Sequence, residues 1–176
     1  MTKGADGKKT AHWSGGYIGM GGAQSLSFAQ KMGRGELDAE SLALAMFEHL
    51  NACNVTGASA LVAADAEVDF GPAGITGSFA EKGIPFLRDL STAFPDLRVR
   101  IRSIMGNPST VVAEITVEGT QSGDFLGIPN QRKHIEIDQA WVLTASTGKI
   151  TSIRAYWCQS QLYRRLGVSR RDQIGG

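Results

Sequence analysis

What the chain has little of narrows the field first. Its 176 residues hold only two cysteines, Cys53 and Cys158, far apart and without a CxxC or Cys/His spacing. That spacing excludes a cysteine-based structural zinc site and gives no sign of a disulfide framework, so a reducing cytoplasm is the expected compartment. No apolar run approaches the roughly 20 residues a membrane span requires. The opening MTKGADGKKTAHWSGGYIGMGG has lysines but lacks the apolar core of a secretory signal. Charge of neither sign is in excess: 18 Lys and Arg stand against 17 Asp and Glu, a formal +1. Neither a nucleic-acid surface nor an acidic cation-binding block is implied. The arginines that do cluster, Arg164, Arg165, Arg170 and Arg171, fit a solvated tail or, alternatively, a phosphate contact.

What is there is an ordinary globular composition, 42% apolar and 20% charged, at a length suited to one core. Residues 1–24 are Gly- and Lys-rich without a period and are expected to form a disordered or loosely docked extension, with His12, Trp13, Tyr17 and Ile18 as the adhesive positions of an arm. Residues 25–170 are expected to form a single domain and 171–176 a tail. Leu37–Cys53 carries helical periodicity through Leu42, Met46 and Leu50, with Asp38 or Ser41 as cap. A shorter helix is expected over Thr56–Ala63. The strand-like run at Glu67 ends at Gly71-Pro72, and Ile75–Ser78 reads as a turn with Ser78 capping a helix over Phe79–Phe94, interrupted near Pro85.

From Leu97 onward the period is two. Leu97, Val99 and Ile101 alternate with Arg98, Arg100 and Arg102. Val111–Thr120 comes next, and Glu114 and Glu118 face the arginines if the two strands form a hairpin. Ile135–Leu143 and Lys149–Trp157 make a third and fourth strand around Ser146-Thr-Gly148, and Leu162–Leu166 a closing turn of helix ended by Gly167. Helices preceding an antiparallel meander give an α+β fold, a curved sheet wrapped around N-terminal helices.

Three blocks then carry a family resemblance: AFPDLRVRI (Ala93–Ile101), EGTQSGDFLGIP (Glu118–Pro129) and GKITSIRAYWCQSQLYRRLG (Gly148–Gly167). In order and spacing they resemble the SnoaL-like polyketide cyclases of the nuclear-transport-factor-two-like superfamily. The resemblance implies a cone-shaped α+β fold with an apolar pocket, a homodimer, and no metal or organic cofactor. It also implies ring closure on a polyketide by proton transfer, while relatives isomerise, dehydrate, hydroxylate or open epoxides and some only bind ligands. The family's final strand ends in an aromatic followed by Asp, where this chain has Trp157-Cys158. Its GTH reads Gly119-Thr120-Gln121, its early last-strand glutamate is Ser152, and its QLG reads Arg165-Leu166-Gly167.

A carboxylate of raised pKa in an apolar pocket can take the proton, and donors can hold the enolate. The catalytic candidates are therefore Arg154, Tyr156 and Cys158, which strand alternation puts on one face, together with Asp138. Cys158 as an inert core thiol is the competing reading. Asp65 and His134 are further candidate bases. Gln121 is the candidate carbonyl-orienting amide, and Phe79, Phe86, Trp141 and Trp157 the aromatic walls of a site for an apolar polycyclic or polyketide-like molecule. The function expected is a cofactor-independent cyclase-like enzyme of secondary metabolism, with a non-catalytic ligand-binding protein or an epoxide-opening enzyme as alternatives.

Overall fold

The computed structural model describes residues 37–168. The N-terminal arm with His12, Trp13, Tyr17 and Ile18, and the C-terminal Arg170 and Arg171, lie outside the described residues. Helix α1 (Ala39–Asn51) starts at Asp38, whose carboxylate accepts the Ser41 N–H, and it buries Leu42, Met46, Phe47 and Leu50. A short α2 (Val55–Ala60) comes after it. Strand β1 (Val62–Phe70) is longer than its sequence signal, and Ile75–Ser78, expected as a turn, is instead a strand, β2, paired antiparallel with β1. The 3₁₀ turn Gly71–Ala73 between them makes the hairpin, with Gly74 at φ 68°. Ser78 is the expected cap, its hydroxyl accepting the Glu81 N–H. The segment it caps is a π-helical turn (Phe79–Gly83) running into α3 (Ile84–Ala93), so Pro85 sits in the first turn of α3, where a missing N–H costs nothing.

Strands β3 (Arg98–Asn107), β4 (Thr110–Thr120), β5 (His134–Ser146) and β6 (Lys149–Trp157) form the expected meander, and α4 (Gln159–Arg165) closes the chain. The sheet has six strands in the order β2-β1-β6-β5-β4-β3 and is mixed, because β1 runs parallel to β6. The fold is α+β with a curved sheet over helices, as expected. The β-rich half alone gives no sign of the parallel pair, since β1 reaches β6 across most of the chain.

Register decides what faces inward. Gln139 pairs with Trp157, Trp141 with Ala155 and Leu143 with Ile153, so the apolar parity of each strand lies on the same face, against α1 and α3. A one-residue slip would turn that whole set outward. At the β3 edge, the Asn51 side chain substitutes for a neighbouring strand. Its Oδ1 accepts the Val99 N–H at 2.5 Å and its Nδ2 donates to the Val99 carbonyl at 3.2 Å, blunting an edge that would otherwise invite pairing. Ile101, expected inside with Leu97 and Val99, is 39% exposed. A bulge between Ile101 and Ser103 breaks the alternation there.

Candidate functional site

Parity divides the predicted residues into two groups. Ile153, Ala155 and Trp157 take the inner face of β6, which places Arg154 and Tyr156 on the outer face, exposed. Cys158 is the residue between this strand and α4, exposed, with no capping hydrogen bond from its side chain. Arg154 and Tyr156 thus share the outer side of the sheet, away from the interior cavity, contrary to a pocket-lining role. Their alternation was legible from sequence, but which face was core depended on Ile153, Ala155 and Trp157 being the more apolar set.

Asp138 also stands on the outer face. One carboxylate oxygen accepts from Thr116 Oγ1 at 2.7 Å and the other from Arg102 at 2.9 Å. The Thr116 hydroxyl, with Arg102 second to it, holds its pKa below the ordinary value of 3.8. A general base of raised pKa needs the opposite shift. Around it, Arg100 bridges Glu118 at 3.2 Å and Glu136 at 2.7 Å. Arg100 is thus answered by Glu118 of β4, as the hairpin pairing predicted, and also by Glu136 of β5, whereas Glu114 accepts from Ser103 Oγ at 2.9 Å and not from an arginine. His134 and Asp65 are exposed as well. The His134 ring lies 3.3 Å from Thr120 Oγ1, at the exposed start of β5.

Gln121 is buried at 2% exposure, but it is occupied. Its Oε1 accepts the Gln131 N–H at 2.8 Å, and its Nε2 donates to the carbonyls of Ile128 and Pro129 at 3.3 and 3.4 Å. These bonds close the loop between β4 and β5 upon itself and commit both N–H donors, leaving the amide no donor for a ligand carbonyl. Inside the loop, Phe125 and Ile128 exchange backbone hydrogen bonds across a Leu126-Gly127 turn with φ of 50° and 74°. Two consecutive positive φ values are the signature of a tight primed turn, and glycine at the second suits it. The clamp drives Phe125 into the interior, where its ring packs edge-on against Phe94 at 5.3 Å and beside Phe86 at 6.0 Å.

The interior site is a small apolar cavity of about 30 Å³, lined by Leu50, Phe86, Leu90, Val99, Val117, Phe125, Ile135, Ile137, Gln139, Trp141, Trp157 and Leu162. Of the predicted walls, Phe86, Trp141 and Trp157 are brought together here. Phe79 is buried but lies elsewhere, its ring over Gly83 so closely that a Cβ there would fall 2.3 Å from it. Trp141 packs on Phe47 at 5.7 Å and Phe70 at 6.0 Å, and Phe86 stacks on Trp157 at 6.2 Å. No ionisable side chain among the described residues lines this cavity.

Sequence reading missed Gln139. It interrupts the inward series Ile135, Ile137, Trp141, Leu143, and an amide at an apolar parity was the available signal. Its Oε1 accepts the Trp141 indole N–H at 2.8 Å, while the Trp157 indole N–H donates to Gln159 Oε1 at 2.7 Å. No group of three or more His, Cys, Asp or Glu side chains among the described residues is arranged to hold a metal ion. No helix among them is long and apolar enough to cross a membrane.

The fold recurs in solved structures. AclR from Streptomyces galilaeus matches with a TM-score of 0.65 and 24% identity, over 73% of this chain and 80% of its own. IdmH from Streptomyces antibioticus matches with a TM-score of 0.63 and 19% identity, over 74% and 99%. A protein with a ketosteroid isomerase-like fold from Catenulispora acidiphila gives 0.61 and 19%, over 72% and 92%. At these identities the likeness establishes the cone fold. No curated protein sequence matches the chain. The sequence profile of the SnoaL-like polyketide cyclases, by contrast, matches residues 40–166, spanning the helices, the whole sheet and the helix that closes it. The chain belongs to the SnoaL-like polyketide cyclase family.

Proposed function

We propose that this protein holds an apolar, polyketide-like molecule inside the cone and promotes ring closure by confining it, not by an acid–base pair of its own. The observation that carries this reading is the interior cavity walled by Phe86, Phe125, Trp141 and Trp157. Flat aromatic walls suit a folded or cyclic unsaturated chain. A carbon between two carbonyls is already acidic, so holding it against a second carbonyl removes much of the entropic barrier to aldol closure. The bond formed is carbon to carbon. The proton lost from carbon passes through water to the new alkoxide, and no oxidant or reductant is needed.

At about 30 Å³ the cavity has room for roughly one water, so the ligand must displace wall groups. Phe125, at the tip of the loop clamped by Gln121, and Leu162 of α4 are the walls borne by the shortest elements. A second reading, a carrier that holds a finished ring without turnover, is favoured by the lack of ionisable groups in the lining. Incubation with a linear poly-β-carbonyl chain separates the two. Ring closure faster than in buffer, undiminished by Asp138→Asn or Cys158→Ala, is expected. Binding without acceleration would leave the carrier reading, and no binding would sink both.

The proposed occupant of the sheet's outer face is a second copy of the chain. Ile101, Met105 and Tyr156 are exposed there, 39%, 58% and 46% respectively, among arginines and carboxylates that can meet their opposites across a two-fold axis. Sedimentation should give a dimer that Tyr156→Glu dissociates, and a monomeric wild type would overturn it.

A further inference from the structure

Trp141 fixes which end of the Gln139 amide is left for a ligand. An amide's oxygen and nitrogen are nearly alike in shape, and their assignment comes from their partners. Here the partner is unambiguous. An indole N–H only donates, so the atom 2.8 Å from Trp141 Nε1 must be the Gln139 oxygen. The remaining polar atom of that side chain, Nε2, has no hydrogen-bond partner among the described residues and can only donate. Trp157 offers no competing donor, because its N–H is held by Gln159 at 2.7 Å. Among the side chains lining the cavity, Gln139 Nε2 is thus the one uncommitted polar group.

We infer that Gln139 and Trp141 together form a carbonyl-selecting pair: the cone takes neutral, aromatic-sized ligands that place a lone-pair oxygen on Gln139 Nε2. It discriminates against hydrocarbons of the same shape, which leave the donor unpaired, and against ammonium ions, which meet a donor with a donor. Gln139 is a binding residue and Trp141 a positioning residue. The inference rests on the proposal that ligands occupy the cone, and it adds the class of ligand.

Acetophenone and α-methylstyrene test it, since they differ in C=O against C=CH₂ at nearly constant shape. Fluorescence titration is suitable because Trp141 and Trp157 line the cavity. The wild type should bind the ketone about five- to tenfold more tightly, the range of one net hydrogen bond. Gln139→Leu should remove the preference while leaving α-methylstyrene binding unchanged. Trp141→Phe keeps an aromatic wall but frees the amide to turn over, and should shrink the preference to about twofold or less. Gln139→Glu should abolish it at neutral pH, where a carboxylate only accepts, and restore it once the carboxyl is protonated. Equal affinity of the wild type for the two probes would overturn the inference while leaving cone binding standing. Binding of neither probe would overturn both. A preference that survives Gln139→Leu would assign the selectivity to some other group and equally sink the pair.

Discussion

Replacing Trp141 with alanine is expected to cost about 3–5 kcal/mol of stability, the range for deleting a buried Trp or Phe ring, and to remove ligand selectivity with it. Trp141 is 2% exposed and joins the cavity wall to the core behind it, touching Phe47 of α1 and Phe70 at the end of β1. Its loss leaves a void between sheet and helices that Phe47 and Phe70, themselves at most 1% exposed, can fill only by leaving their own packing. The Gln139 oxygen would lose its donor at the same time. Denaturant unfolding monitored by circular dichroism checks the stability change. A loss under about 1 kcal/mol, in the range of many conservative core swaps, would mean that the ring is not the junction described here.

Phe125→Ala is expected to act in two directions. The ring is 4% exposed and held between Phe86 and Phe94, so its removal should destabilise by about 3 kcal/mol, the low end for such a change, because the loop around it can settle inward. The same deletion enlarges the cavity where the wall belongs to a loop. Bicyclic ketones should then gain about tenfold in affinity relative to monocyclic ones, equivalent to roughly 1.4 kcal/mol. If the size preference does not move, Phe125 does not bound the ligand space, and access lies beside Leu162 instead.

Legibility from sequence differs from residue to residue. The Asp38 and Ser78 caps, the Pro85 interruption and the Arg100–Glu118 pairing are local, depending on neighbours in sequence or on one hairpin, and the sequence carries them. β2 was not legible because Ile75–Ser78 is short, contains Gly77, and becomes a strand only by pairing with β1. The parallel seam between β1 and β6 joins distant segments and leaves no periodic trace.

The candidate site failed on parity and partners. Alternation put Arg154 and Tyr156 on one face but could not by itself aim them, and Cys158 lies past the end of β6. Family position suggested a functional Cys158, whereas here the thiol is solvent-facing ahead of α4. Gln121 was expected to address a ligand. Its three hydrogen bonds to the loop backbone show how both donors of a buried amide can be taken by the chain it stabilises. Asp138 is similarly committed, to Thr116 and Arg102. Aromatic walls were the more transferable expectation, because large apolar rings on the inward parity have few other places to go.

The central claim is that ligand sits inside the cone and not on the charged outer face. Methyl-labelled protein titrated with acetophenone tests it most directly. Binding in the cone predicts shifts and ligand contacts at the methyls of Val99, Val117, Ile135, Ile137 and Leu162, which line the cavity. Shifts confined to Ile101 and Met105, exposed beside the arginine row, would contradict it.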